Sequence, residues 1–149
     1  MIHNSKTIPS QEIDCTLKAW LGGIIDGEGS FAFWKMKNRK DCHLFGIYLV
    51  NTDLNILNQI TDIYRQLGVF SKMNTKKQSN TAFKNAKPCW EIIIRKRDDI
   101  KKILTAVIPY LASYKKEKAI KMLEYMELHP KYSRTNHAEQ SVSGVTTKR

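Results

Sequence analysis

The chain has 149 residues, and its 25 lysines and arginines against 14 aspartates and glutamates give a net charge of +11 and a pI near 9.6. That length suits one domain with its own core, and the charge is the electrostatic footprint of a phosphate-binding surface, which points to nucleic acid as the partner. Cys15, Cys42 and Cys89 are odd in number and lack CxxC or Cys/His spacing, which excludes a disulfide framework and a zinc site, and no apolar run approaches the ~18 residues of a membrane span.

Residues 1–13 form a polar leader without an apolar h-region, so a soluble intracellular protein with free thiols and no membrane partner is expected. Asp14 is a good N-cap, and Leu17, Leu21, Ile24 and Ile25 recur at helical spacing, which predicts a helix over 14–26. From Ser30 the period drops to two, with Phe31 and Phe33 on one face and Ala32, Trp34 and Met36 on the other, so a strand follows the helix directly. A charged turn over 37–41 and a second strand over 43–50 complete a hairpin. Asn51, Thr52 and Asp53 then offer capping side chains to a second helix, in which Leu54, Leu57, Ile60, Ile63, Tyr64 and Leu67 run to a stop at Gly68. A third strand over 70–76, a polar loop over 77–87 and a fourth strand over 90–97 follow. Asp98 or Asp99 caps a short helix through Val107 that Pro109 ends, and a last helix over 114–128 turns Ala119, Met122, Leu123 and Met126 inward. Residues 129–149 read as a polar, mobile tail. The single domain over 14–128 is therefore α+β, with helices packed on one face of an antiparallel sheet and the other face open. Phe31, Phe33, Leu57, Ile60, Leu104, Leu111 and Leu123 read as core.

The most informative run is LGGIIDGEGSF over 21–31, an apolar, glycine-rich helical segment that ends on an acid framed by glycines. Gly23 and Gly27 lie one helical turn apart, so a second backbone can approach along that face. The same segment delivers Glu28, a hard oxygen ligand of the kind Mg²⁺ prefers. A helix C-cap would explain the glycines alone, but not an acid feeding straight into a basic hairpin. A calcium loop starting at Asp26 fails, because its bidentate acid would fall on Lys37.

Residues 21–29, LGGIIDGEG, resemble the signature of the LAGLIDADG homing endonucleases, with Gly22 where alanine is usual and Glu28 where aspartate is commoner. The resemblance implies an αββαββα saddle whose four-stranded sheet lies in the DNA major groove. It also implies that two signature helices pack side by side, with their acids meeting near the symmetry axis and divalent ions between them and the DNA. On that basis Glu28 is the metal-binding and catalytic acid, the Gly27 carbonyl lies beside it as a second ligand, and Asp26 has a structural role. Only one copy of the signature is present, which implies a homodimer through Leu17, Trp20, Leu21, Gly23, Ile24 and Gly27. The implied cofactor is Mg²⁺, with Mn²⁺ able to substitute and Ca²⁺ supporting binding without cleavage. A lysine early in the last helix is implied to offset charge at the cleaved phosphate; Lys115 matches best, with Lys116 a competitor offset by one. Asn51 matches a position that orders water at the metal site, where glutamine is more usual, and equally suits a helix cap.

For DNA reading, alternation puts Ser30, Ala32, Trp34 and Met36 on the groove side of strand one, with Lys35 beside them, although Trp34 also suits the core. Tyr48 serves strand two, Lys72, Asn74 and Lys76 strand three, and Glu91, Arg95 and Arg97 strand four. Lys37, Arg39, Lys40, Lys77, Lys84 and Lys87 cluster in the hairpin loops, where phosphates are met. His3, His43, His129 and His137 show no ligand spacing.

The resemblance thus implies a site-specific, intron-encoded homing endonuclease that breaks both strands of double-stranded DNA at a long, roughly palindromic target by metal-dependent hydrolysis. Two other activities suit the same fold: a maturase that binds intron RNA, and a DNA-binding regulator that does not cleave. Lysine outnumbers arginine about three to one, as in translation of AT-rich DNA, which favours a chloroplast or mitochondrion over an archaeal or bacterial cytoplasm.

Overall fold

Asp14 starts the first helix by accepting the Thr16 N–H at 3.2 Å, and α1 then runs over Cys15–Glu28. The computed structural model describes residues 12–39, 42–76 and 86–130. Helix α1 ends at Glu28 rather than Asp26, because Gly29 closes it by donating its N–H to the Ile25 carbonyl. A Cβ on Gly29 would lie 2.7 Å from that same oxygen, so the exit from helix to strand needs glycine there.

Strands β1 (Gly29–Lys35) and β2 (His43–Asn51) form the first hairpin; Met36 lies past the strand and helps close the turn through its N–H to the Cys42 carbonyl. Helix α2 (Leu54–Gln66) is capped by Asp53 on the Asn55 N–H at 2.9 Å and stopped by Gly68 at φ +78°. Strand β3 (Met73–Lys76) is shorter than the apolar pattern suggests, since its partner β4 (Cys89–Ile94) pairs with it only over Cys89 to Ile92. Phe70 is left 81% exposed outside the strand. Strand β4 also stops earlier than 97, because helix α3 (Arg97–Val107) already begins there. Asp98 and Asp99 consequently sit in the first turn of α3, where carboxylates suit the positive helix end, and Lys96 holds the capping position. A 3-10 turn at Ile108–Tyr110 contains Pro109, and α4 covers Tyr114–Leu128.

The sheet order is β1-β2-β4-β3, all antiparallel, so the two hairpins join along β2 and β4 with β3 at an edge. All four helices bear on one face. Leu21 and Ile25 of α1, Ile60 and Tyr64 of α2, Ile100 and Leu104 of α3 and Met122 of α4 are fully buried against Ile47, Leu49 and Ile92 of the sheet. Of the residues expected in the core, Phe33 and Leu123 are only half-buried at its margin. Among the described residues no helix is long and apolar enough to cross a membrane. The expected loop lysines Lys40, Lys77 and Lys84, and nearly all of the expected mobile tail, lie outside the described residues.

Candidate active site

Helix α1 delivers its acid by being held at the end. The Asp26 carboxylate accepts the Ala112 N–H at 2.7 Å, the Ser113 N–H at 3.2 Å and the Ser113 hydroxyl at 2.5 Å. The Ser113 hydroxyl in turn caps α4 on the Lys115 N–H at 3.2 Å. Lys115, only 7% exposed, sends its ammonium back to α1, with Nζ 3.0 Å from the Ile25 carbonyl and 2.5 Å from the Asp26 carbonyl. A cation on the last carbonyls of a helix complements its negative end. The Ser113 hydroxyl holds the Asp26 carboxyl below the usual carboxylate range, against its partial burial, with the two backbone N–H groups and the Lys115 charge adding to the effect. Glu28 follows directly, exposed at the helix terminus.

The outer stripe of α1 is nearly bare. Gly23 and Gly27 are exposed, and a Cβ built on either meets nothing within 4 Å among the described residues. Leu17, Trp20 and Ile24 flank the stripe, half-buried against the edge of the core. Leu21 does not belong to that surface: it is fully buried, because its position on the helix turns it toward the sheet, and it drops out of the expected interface. Gly22, on the inner side, touches the 3-10 turn so closely that a Cβ would lie 2.7 Å from the Tyr110 Cβ.

The sheet face away from the helices is defined by its register. Ser30 pairs with Tyr48, Tyr48 with Ile93, Val50 with Glu91 and Glu91 with Asn74, so these residues share the open side. Trp34 is 54% exposed on this face, and its reading as core is wrong. Ala32 shares the face but is buried, beside Gly46, whose missing side chain is replaced by the Tyr48 ring. Lys72, Lys76 and Arg95 extend the row at strand ends, all exposed. Lys37 and Arg39 are exposed in the hairpin turn, and Lys87 at the entry to β4. Two expected contacts fall elsewhere. Lys35 has the strand parity of Phe31 and Phe33 and so belongs to the helix side. Arg97 is the first residue of α3; its Nη1 donates to the His129 carbonyl at 2.7 Å and its guanidinium lies 4.8 Å from the Phe45 ring centroid, so it braces α4 against the sheet. Asn51, at the end of β2, accepts the Asp53 N–H at 2.9 Å and so shapes the turn into α2.

An acid-tipped helix with a bare glycine stripe, set beside an open four-stranded face, is a specific arrangement. The family model of the LAGLIDADG-like domain matches residues 16–107. The chain belongs to the LAGLIDADG family. Its four-stranded fold is that of LAGLIDADG homing endonucleases of known structure. The homing endonuclease I-CvuI, in complex with the I-CreI target in the presence of 2 mM Mg and with the DNA not cleaved, is 21% identical, with a TM-score of 0.50 over 72% of this chain and 63% of its own. The group I intron-encoded homing endonuclease I-CeuI, complexed with DNA, is 15% identical, with a TM-score of 0.52 over 78% of this chain and 56% of its own. I-GzeII in complex with its DNA target is 19% identical, with a TM-score of 0.55 over 78% of this chain and 38% of its own. The chain thus spans less than two thirds of the length of these three proteins. A further structure shows I-CvuI in complex with its target in the presence of 2 mM Ca. No curated protein matches the chain.

Within this LAGLIDADG chain the oxygen donors at the α1 terminus suit a hard divalent ion, but only as half a set. The Ile25 and Asp26 carbonyls are occupied by Lys115, which leaves the Glu28 carboxylate and the Gly27 carbonyl. Among the described residues no group of three or more His, Cys, Asp or Glu side chains is placed to hold a metal by itself. Ser113 is the site residue that sequence reasoning passed over. Its hydroxyl caps α4, and its other partner, Asp26, is 87 positions away.

Proposed function

We propose that this chain is a divalent-metal-dependent, site-specific DNA endonuclease that acts as a homodimer and cuts both strands of a long, roughly palindromic target. The observation that carries the reading is Glu28, exposed at the tip of a helix whose outer stripe at Gly23 and Gly27 is open to a second copy. One chain supplies one acid, so pairing α1 with its symmetry mate brings two carboxylates to one axis and completes an oxygen donor set. The relatives solved with DNA, and with Mg or Ca present, support DNA and a divalent ion as the partners.

Glu28 and the Gly27 carbonyl would hold the metal. Bound there, divalent ions supply charge neutralisation at the phosphate and acidify a water. Lys115 brings positive charge to the same helix end, and the Asn51 amide nitrogen, left over from its turn, is the candidate for orienting solvent. The open face of Ser30, Trp34, Tyr48, Asn74 and Glu91 is shaped for base edges in a major groove, and Lys37, Arg39, Lys72, Lys76 and Arg95 for phosphates and guanine.

The test is cleavage of a large library of double-stranded sites by wild type and Glu28→Gln, in Mg²⁺ and in Ca²⁺, with bound and cut molecules recorded separately. Cutting of one palindrome-like site in Mg²⁺ by wild type alone is expected, with Glu28→Gln binding within about an order of magnitude of wild type because the acid acts chiefly in the chemical step. Binding without cutting points to a regulator, and preference for structured intron RNA over any duplex to a maturase.

A further inference from the structure

Among the described residues of one chain, neither Gly23 nor Gly27 meets anything within 4 Å where a side chain would stand, so the outer side of the end of α1 has no packing from its own subunit. Within one subunit its position is therefore set from the inner side, by bonds that the chain makes over long distances. Asp26 is gripped by the backbone of Ala112 and Ser113 and by the Ser113 hydroxyl, and the Ile25 and Asp26 carbonyls are gripped by Lys115. Both grips come from one short stretch at the start of α4, coupled to each other because Ser113 also caps the Lys115 N–H. A lysine that is 7% exposed, with its ammonium directed at two helix carbonyls, is committed to the helix. Two residues further on stands Glu28.

We infer that Asp26, Ser113 and Lys115 form a clamp that positions Glu28, and that Lys115 acts through α1 instead of touching the scissile phosphate. This rests on the nuclease reading and deepens it: the three are positioning residues, and the quantity they set is how well Glu28 and the Gly27 carbonyl meet a divalent ion. Residues that orient a metal ligand commonly change metal affinity by about 10–100-fold when removed.

The experiment uses the target recovered from the library and compares wild type, Ser113→Ala, Ser113→Thr, Lys115→Met and the Ser113→Ala/Lys115→Met double variant. For each, three quantities are measured: the Mg²⁺ concentration for half-maximal cutting, the Ca²⁺ concentration for half-maximal DNA binding, and the melting temperature. Ser113→Ala and Lys115→Met should each raise both metal requirements about tenfold, with cutting largely recovered at high Mg²⁺. Ser113→Thr, which keeps the hydroxyl, should stay near wild type. The double variant should be little worse than either single one, because the three residues work as a unit. If Lys115→Met lowers the maximal rate with both metal requirements unchanged, or if the two losses simply multiply, Lys115 touches the phosphate and the clamp is refuted. Unchanged metal requirements in a stably folded Ser113→Ala also refute it. Should Lys115→Met fail to fold, the Ser113→Ala and Ser113→Thr pair decides. If wild type binds duplex without cutting, the nuclease reading fails while the Ca²⁺ requirement still decides the clamp; if it neither binds nor cuts, both fail.

Discussion

Two adjacent glycines on α1 should respond to the same substitution with opposite sign. Alanine in place of a glycine inside a helix gains about 1 kcal/mol from propensity alone. At Gly23 nothing among the described residues stands within 4 Å of the new methyl, so Gly23→Ala should realise that gain in full. At Gly22 the methyl would sit 2.7 Å from the Tyr110 Cβ and 3.5 Å from the Tyr110 carbonyl carbon and oxygen. A Cβ cannot swing aside as the end of a long side chain can, so the 3-10 turn itself has to retreat, and overpacking of this kind costs about 1–3 kcal/mol. Taking the middle of that range, Gly22→Ala should be destabilised by about 1 kcal/mol, leaving a gap of about 2 kcal/mol between the variants. In a chain of this size that separates the melting temperatures by about 4–8 °C. Thermal unfolding followed by circular dichroism, at protein concentrations low enough to keep the subunits apart, is the assay. If both variants shift in the same direction, the tight contact between α1 and the 3-10 turn is refuted. Sedimentation equilibrium on the same Gly23→Ala protein adds a second reading: a methyl on the bare stripe should weaken self-association even as it stabilises the folded chain. Unchanged association would place the dimer contact elsewhere.

Asp26 should make the wild type more stable than Asp26→Asn at neutral pH. Because its folded pKa is lowered, that contribution is fully present above the ordinary value of 3.8 and lost as pH falls through the lower native value, so the stability gap should close in strong acid; a gap that stays constant would sever Asp26 from its clamp. The Tyr64 hydroxyl is fully buried with no hydrogen-bond partner among the described residues, and burial raises its pKa, so Tyr64→Phe should be neutral or stabilising by up to about 1 kcal/mol in urea unfolding; a clear loss would reveal a partner. Arg95 and Arg97 should part company: Arg97→Ala should lower the melting temperature with little effect on DNA affinity, and Arg95→Ala should weaken DNA binding and its salt dependence with little effect on folding. Equal effects of the two on DNA binding would overturn the assignment of faces.

The fold was legible because its cues are local. Caps at Asp14 and Asp53, the stop at Gly68 and the changes of period from helix to strand all act within a few residues, and the element order follows from them. Errors gathered at strand ends. Alternation continues through Arg97, but whether a strand persists depends on its neighbours, and among the described residues β4 has none beyond Ile94. The same cause moved Arg97 from the open face to a brace under α4, since only a strand running three residues past Ile94 would have kept it in the row. Leu21 was misplaced for a different reason: an apolar residue in a signature helix suits a dimer seam and a core equally by type, and only the rotation of α1 against the sheet decides.

At the candidate active site the acid was visible and its support was not. Glu28 stands in a short, unusual string, whereas its restraint comes from Ser113 and Lys115, in a serine–lysine stretch that by type reads as an ordinary capped, basic helix start. What distinguishes Lys115 from Lys116 is direction: one is buried against the α1 carbonyls, the other exposed. Alternation and composition carry no information about direction at a helix start, because it is fixed by how α4 docks on α1. The choice between the two lysines is therefore a tertiary fact, and it changes the chemistry expected of the cation. A lysine facing solvent would be available to the DNA phosphate as a point charge. A lysine spent on the Ile25 and Asp26 carbonyls stiffens the helix end that carries the acid, so its removal should be felt first in how tightly metal is held.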